Sequence, residues 1–206
     1  MNILCFGDSN TFGISPVDGK RLSETERWPT LLKQQLGTGF EVIEAGEPNR
    51  TLVNNPPFMG DKSGIKYLKP YLEAHTVDVV IIQLGTNDLK ARFDLTPEQI
   101  AGGLDSFITA IKLFYQQSMI PVPSIVVISV ANVIANGAYK KIYAGAEHKV
   151  MHLAAWCKKV TNKHNCILVD AFLFIKPCQY EGVHWPSCEH KKLADNLYQY
   201  ILEQRT

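Results

Sequence analysis

Short apolar runs recur along the chain with enough sequence between them for a helix. They fall at Ile3–Phe6, Glu41–Ala45, Val77–Leu84, Ser124–Val130 and Cys166–Asp170, each with the length of a strand. Within the third, Val79–Leu84 is apolar at nearly every position, the pattern of a central strand covered on both faces. Between the runs the apolar positions change to a spacing of three and four. Thr96-Pro97-Glu98 predicts a helix start, with a capping hydroxyl, Pro at the first helical position and an acid in the first turn. Ile100, Leu104, Phe107, Ile108, Ile111 and Phe114 then mark one buried face, and the helix is expected to end before Pro121. Val150, Leu153, Ala154, Cys157 and Val160 form a second stripe, and Leu193, Leu197 and Ile201 form a third after Pro186-Ser187. The alternation predicts an α/β protein with a mostly parallel five-stranded sheet between helices. Two segments, Ser15–Thr25 and Arg50–Ser63 with Asn54-Asn55-Pro56-Pro57, are expected to be long loops that help form a pocket.

At 206 residues the chain is expected to form a single domain, 1–206. An apolar content of 46% and a formal net charge of +1 give no electrostatic reason to expect nucleic acid or an anionic membrane as a partner. The run after Met1 is too short for a signal peptide, and no stretch approaches a membrane span. Cys5, Cys157, Cys166, Cys178 and Cys188 are odd in number and match no zinc spacing, so free thiols and a reducing, cytoplasmic setting are expected. His148 and His152 stand four apart without a carboxylate at metalloprotease spacing, so no metal is expected.

The candidate chemistry lies where strands end. Gly7-Asp8-Ser9-Asn10 follows the first run, which sets Ser9 at the carboxyl edge of a strand, where open α/β sheets bind ligands. Gly85-Thr86-Asn87-Asp88 closes the third run, and Glu181-Gly182-Val183-His184 precedes the last helix. A hydroxyl nucleophile, an amide donor and a carboxylate three residues before a histidine are the parts of an acyl-transfer site. The first turn, Gly7 to Gly13, lacks a glycine-rich phosphate fingerprint.

These blocks, with Glu44-Ala45-Gly46-Glu47-Pro48-Asn49-Arg50-Thr51 between the first and third, resemble the GDSL or SGNH hydrolases in content and order. Arg27-Trp28, Val42-Ile43-Glu44 and Gly85 to Ala91 are most similar to the small arylesterase and acyltransferase branch. The resemblance implies a flavodoxin-like three-layer α/β/α sandwich and a serine esterase acting on acetyl or other short-acyl esters. It implies no cofactor, a small-molecule ester as substrate, and room for a homo-oligomer. Ser9 would be the nucleophile, His184 the base and Glu181 the orienting acid, with Ser9, Gly46 and Asn87 as oxyanion donors. Glu181 departs from the family's usual aspartate, so His184 could instead lean on a backbone carbonyl or on Asp88. Trp28, Phe93 and Trp185 flank the blocks and are expected to contact substrate, although Trp28 and Trp185 fit core positions equally well. Carbohydrate O-deacetylase, thioesterase and a binding module with an impaired triad are the alternatives.

Overall fold

Alternation within each strand sorts its side chains to two cores. In β1 (Asn2–Gly7), Leu4 and Phe6 enter one apolar cluster while Ile3 and Cys5 enter the other, as successive residues on a pleated strand must. The structure, a computed structural model, describes residues 1–53 and 63–203; Asn54-Asn55-Pro56-Pro57, in the middle of an expected loop, lies outside the described residues. After β1 come α1 (Ser9–Phe12), α2 (Trp28–Leu36), β2 (Glu41–Gly46), α3 (Gly64–Ala74), β3 (Val79–Gln83) and α4 (Pro97–Gln117). β4 (Ser124–Ile128), α5 (Ala146–His164), β5 (Ile167–Val169) and α6 (Ser187–Glu203) complete the order.

The strands form one sheet in the order β2-β1-β3-β4-β5, parallel at every pairing. One face packs on α3, α4 and α5, the other on α2 and α6, which makes the three-layer sandwich of a doubly wound fold. The five strands occupy the five apolar runs, with β3, β4 and β5 shorter than those runs. In α4, Thr96 caps the Gln99 N–H while the Gln99 side chain caps Thr96 in return. Its buried face takes Tyr115 in preference to Phe114, which is only partly buried. Among the described residues, no helix is long and apolar enough to cross a membrane.

Strand order reverses between β1 and β3. Their carboxyl ends therefore open side by side on the same edge, and the turns that follow them carry Ser9 and Asn87.

Candidate active site

Ser9 is the first residue of α1, a single helical turn. Asp8 caps it by accepting the Asn10 N–H at 2.9 Å, and Gly13, at φ 85°, ends it. Ser9 is thereby held at a sharp strand-to-helix bend, with its Oγ 3.1 Å from His184 Nε2. His184 Nδ1 lies 2.7 Å from Glu181 Oε2. A carboxylate can only accept, so this contact places the imidazole proton on Nδ1 and leaves the Nε2 lone pair to Ser9. Glu181 Oε1 accepts the backbone N–H of Val183 at 3.1 Å and that of His184. The extra methylene of glutamate is taken up by a tight turn in which the carboxylate folds back over its own backbone, with Gly182 in the left-handed region at φ 79°. The Tyr139 ring meets the His184 ring edge to face, with centroids 5.5 Å apart.

A cavity of about 210 Å³ opens beside this pair, lined by Ser9, Ile14, Asn49, Asn87, Lys90 and Tyr139 among others. Asn87 follows β3; its Nδ2 donates to the Arg50 carbonyl at 3.0 Å and its Oδ1 accepts the Tyr143 hydroxyl at 3.3 Å. The two contacts orient the amide, and an Nδ2–H remains for the cavity. Glu47 to Arg50 form a β-turn closed by Arg50 N–H to the Glu47 carbonyl at 3.2 Å. Pro48 and Asn49 take its central positions, and Asn49 has φ 68°, the pairing a type II turn requires. The N–H groups of Ser9 and Asn49 meet no acceptor among the described residues. Ser9, Asn49 and Asn87 all line the cavity, so two backbone N–H groups and one side-chain amide belong to its lining residues.

Gly46 is a correction to the sequence reading. In the parallel β1–β2 ladder the Glu47 N–H bonds to the Gly7 carbonyl at 3.1 Å. Successive N–H groups along a strand point to opposite sides, so that of Gly46 faces the free edge of β2, away from Ser9. Gly46 lacks a side chain for a packing reason: a Cβ there would clash with the backbone of Thr11 and Phe12. The candidate donor from this block is Asn49, three residues on, which lines the cavity. The Pro48-Asn49 pair was its only sequence signal, and a side-chain inventory overlooks a backbone N–H.

The aromatic residues require the same correction. Trp28 and Trp185 are 0% and 1% exposed, both in the core between the sheet and helices α2 and α6, so neither has surface left for a substrate. Phe93 sits in a short 3₁₀ turn under the Arg92 guanidinium, 4.6 Å from its ring centroid, and does not line the cavity. The aromatic wall is Tyr139 and Tyr143, for which no motif gave a signal.

Four residues brace the site. Asn10 donates to the Val183 carbonyl at 3.4 Å and accepts the Trp185 N–H at 3.2 Å, so it grips the chain on both sides of His184. Asp8 also accepts from Gln83 Nε2 at 3.3 Å, and Asp88 accepts the Leu52 N–H on both oxygens, at 3.2 and 3.1 Å. Burial pushes the Asp8 carboxyl up to about 6 and that of Asp88 up to about 7. Arg50 donates to the Gly7 carbonyl at 3.0 Å and to the Ala45 carbonyl, tying the ends of β1 and β2 together beneath the cavity. Among the described residues no cluster of His, Cys, Asp and Glu could hold a metal ion.

Comparison with known proteins gives a consistent result. Residues 5–196 match the model of the GDSL-like Lipase/Acylhydrolase family. No curated protein matches the sequence. Among solved structures, Est24, a carbohydrate acetylesterase from Sinorhizobium meliloti, is 26% identical with a TM-score of 0.92, over 98% of this chain and 99% of that one. The inhibitor-bound aryl esterase of M. smegmatis is 32% identical with a TM-score of 0.92, over 98% of each chain. The native form of that enzyme is 33% identical with a TM-score of 0.91, over 98% of each chain.

Proposed function

The chain belongs to the GDSL-like lipase/acylhydrolase family and is a carboxylic ester hydrolase, and from that premise we propose that it cleaves short-acyl esters through an acyl-Ser9 intermediate. The observation that carries this reading is the line from Ser9 Oγ to His184 Nε2 at 3.1 Å and from Nδ1 to Glu181 at 2.7 Å. A serine hydroxyl is a poor nucleophile unless a base takes its proton as it attacks. His184 is that base, and Glu181 holds its tautomer and stabilises the imidazolium. Attack drives the carbonyl oxygen toward a full negative charge. The Ser9 and Asn49 N–H groups and the Asn87 amide are the donors that receive it. The imidazolium then passes its proton to the departing alcohol or phenol. Water, activated by His184 in turn, releases the acid from Ser9. An alcohol in place of that water gives acyl transfer by the same steps.

The small cavity supports an acetyl or similarly short acyl group, as in the carbohydrate acetylesterase from S. meliloti. Aryl and sugar esters are both proposed for the alcohol side, given the two kinds of neighbour. The thiols are all free and suit a reducing compartment, for which we propose the cytoplasm. Ser9→Ala is expected to abolish hydrolysis of p-nitrophenyl acetate, with unchanged circular dichroism. A fluorophosphonate should label Ser9 alone by peptide mass spectrometry. Activity in folded Ser9→Ala within about tenfold of wild type, or labelling at another residue, would remove Ser9 from this role.

A further inference from the structure

We infer that Lys90 is a positioning residue of this reaction: its ammonium clamps the Pro48–Asn49 turn and so holds the Asn49 N–H on the oxyanion. The inference rests on the acyl-Ser9 reading and adds a residue and a pH limit to it. Lys90 immediately follows the 3₁₀ turn Asn87–Leu89. Residues three apart on such a turn stand above one another, so the side chains of Asn87 and Lys90 emerge on one side. Both reach the same neighbouring turn. Asn87 Nδ2 donates to the Arg50 carbonyl at 3.0 Å, and Lys90 Nζ donates to Asn49 Oδ1 at 2.7 Å. The turn after β3 thus clasps the turn after β2 at two adjoining residues.

Fold stability does not account for this lysine. Lys90 is only 7% exposed, lines the cavity, and has no carboxylate within ion-pair distance among the described residues. Its one hydrogen-bond partner among the described residues is a neutral amide, on a side chain that water already reaches. Burying an ammonium on those terms costs stability that an apolar side chain of similar length would not. What the charge supplies is a strong donor to Asn49 and a positive field beside the forming oxyanion.

The clamp depends on the proton. Burial, with Arg92 nearby, brings the Lys90 amine down to about 8, opposed by Asp8 and Asp88. Across the cavity stand Tyr139, Tyr143 and His184. Burial raises both tyrosine hydroxyls above their ordinary range. Lys90 therefore loses its charge as pH rises through about 8, and the alkaline limb belongs to it.

The test is kcat and KM on p-nitrophenyl acetate from about pH 6 to 10 for wild type, Lys90→Met, Lys90→Arg and Ser9→Ala. Lys90→Met should lower kcat about ten- to a hundredfold with KM within about threefold, because an oxyanion contact acts in the transition state. It should show no fall above about pH 8 and should melt no lower than wild type. Lys90→Arg, which stays charged, should recover part of kcat and also lack the fall. The inference is overturned if Lys90→Met keeps kcat within about threefold, loses only KM, or retains the alkaline fall. Hydrolysis that survives in folded Ser9→Ala is a different failure, for it defeats the acyl-Ser9 reading and the clamp together.

Discussion

Three N–H groups converge on the Glu181 carboxylate: those of Val183 and His184 on one oxygen and the imidazole Nδ1–H on the other. Glutamine has one accepting oxygen for these three donors. If that oxygen keeps the backbone pair, the amide NH₂ faces Nδ1 and makes it an acceptor, which moves the ring proton to Nε2 where Ser9 needs a lone pair. Glu181→Gln is accordingly expected to lower kcat by roughly 10²–10⁴ with little change in melting temperature. A near-normal kcat in the purified variant would exclude Glu181 as the orienting acid. The spacing of Glu181 and His184 was visible in the sequence because both act through side chains of a type suited to the task. Asn49 was hidden because its part is played by a peptide N–H, and Lys90 because one lysine among many carries no mark of burial. Trp28 and Trp185 misled for a related reason. Nearness to a motif in sequence does not say which side of the sheet a ring faces.

At the scale of elements, the triad loop leans on the chain that leaves β4. The Ile134 N–H donates to the Gly182 carbonyl at 2.8 Å, and any Cβ on Gly182 would run into the Ile134 carbonyl oxygen. Gly182 also has φ 79°, a conformation that costs an L-residue about 1 kcal/mol or more. Gly182→Ala should therefore push Glu181 and His184 away from Ser9. We expect a loss of about 1–3 kcal/mol of stability together with at least a tenfold fall in kcat. Thermal melting and steady-state kinetics read the two, and a variant matching wild type in both would show that this backbone contact is not tight. The strands and α4 were legible because apolar periodicity and caps are local signals. This contact was not, since it joins two irregular segments through backbone atoms that no pattern of side chains records.

For the whole molecule, the strand pattern specified the parallel sheet, and the sheet order sets the site at the switch between β1 and β3. Burial behind that edge also shapes stability against pH. The folded-state values of Asp8 and Asp88 stand near 6 and 7, above an ordinary unfolded carboxyl near 4. Between these values the native state holds more protons, so the stability these groups contribute at low pH is lost as pH rises through the folded values. His190 opposes them. Its Nδ1 accepts the Trp28 N–H at 3.3 Å, and burial brings it down to about 4. The unfolded chain is therefore the better proton binder from about pH 4 to 6.5, and this term rises with pH. Asp88→Asn keeps an oxygen for the Leu52 N–H and removes one titration. Its melting temperature relative to wild type should climb from about pH 4 to 8; a constant difference would mean that Asp88 does not titrate in that window. One feature of the site bears on how the molecule comes to be active. Glu181 and His184 meet across a single turn of chain, whereas His184 and Ser9 are separated by 175 positions. The acid–base pair can assemble early from local sequence, but the nucleophile joins it only when the largest loop in the site closes. Catalysis is thus a clock for the last stage of refolding, and turnover should return after helical circular dichroism has recovered.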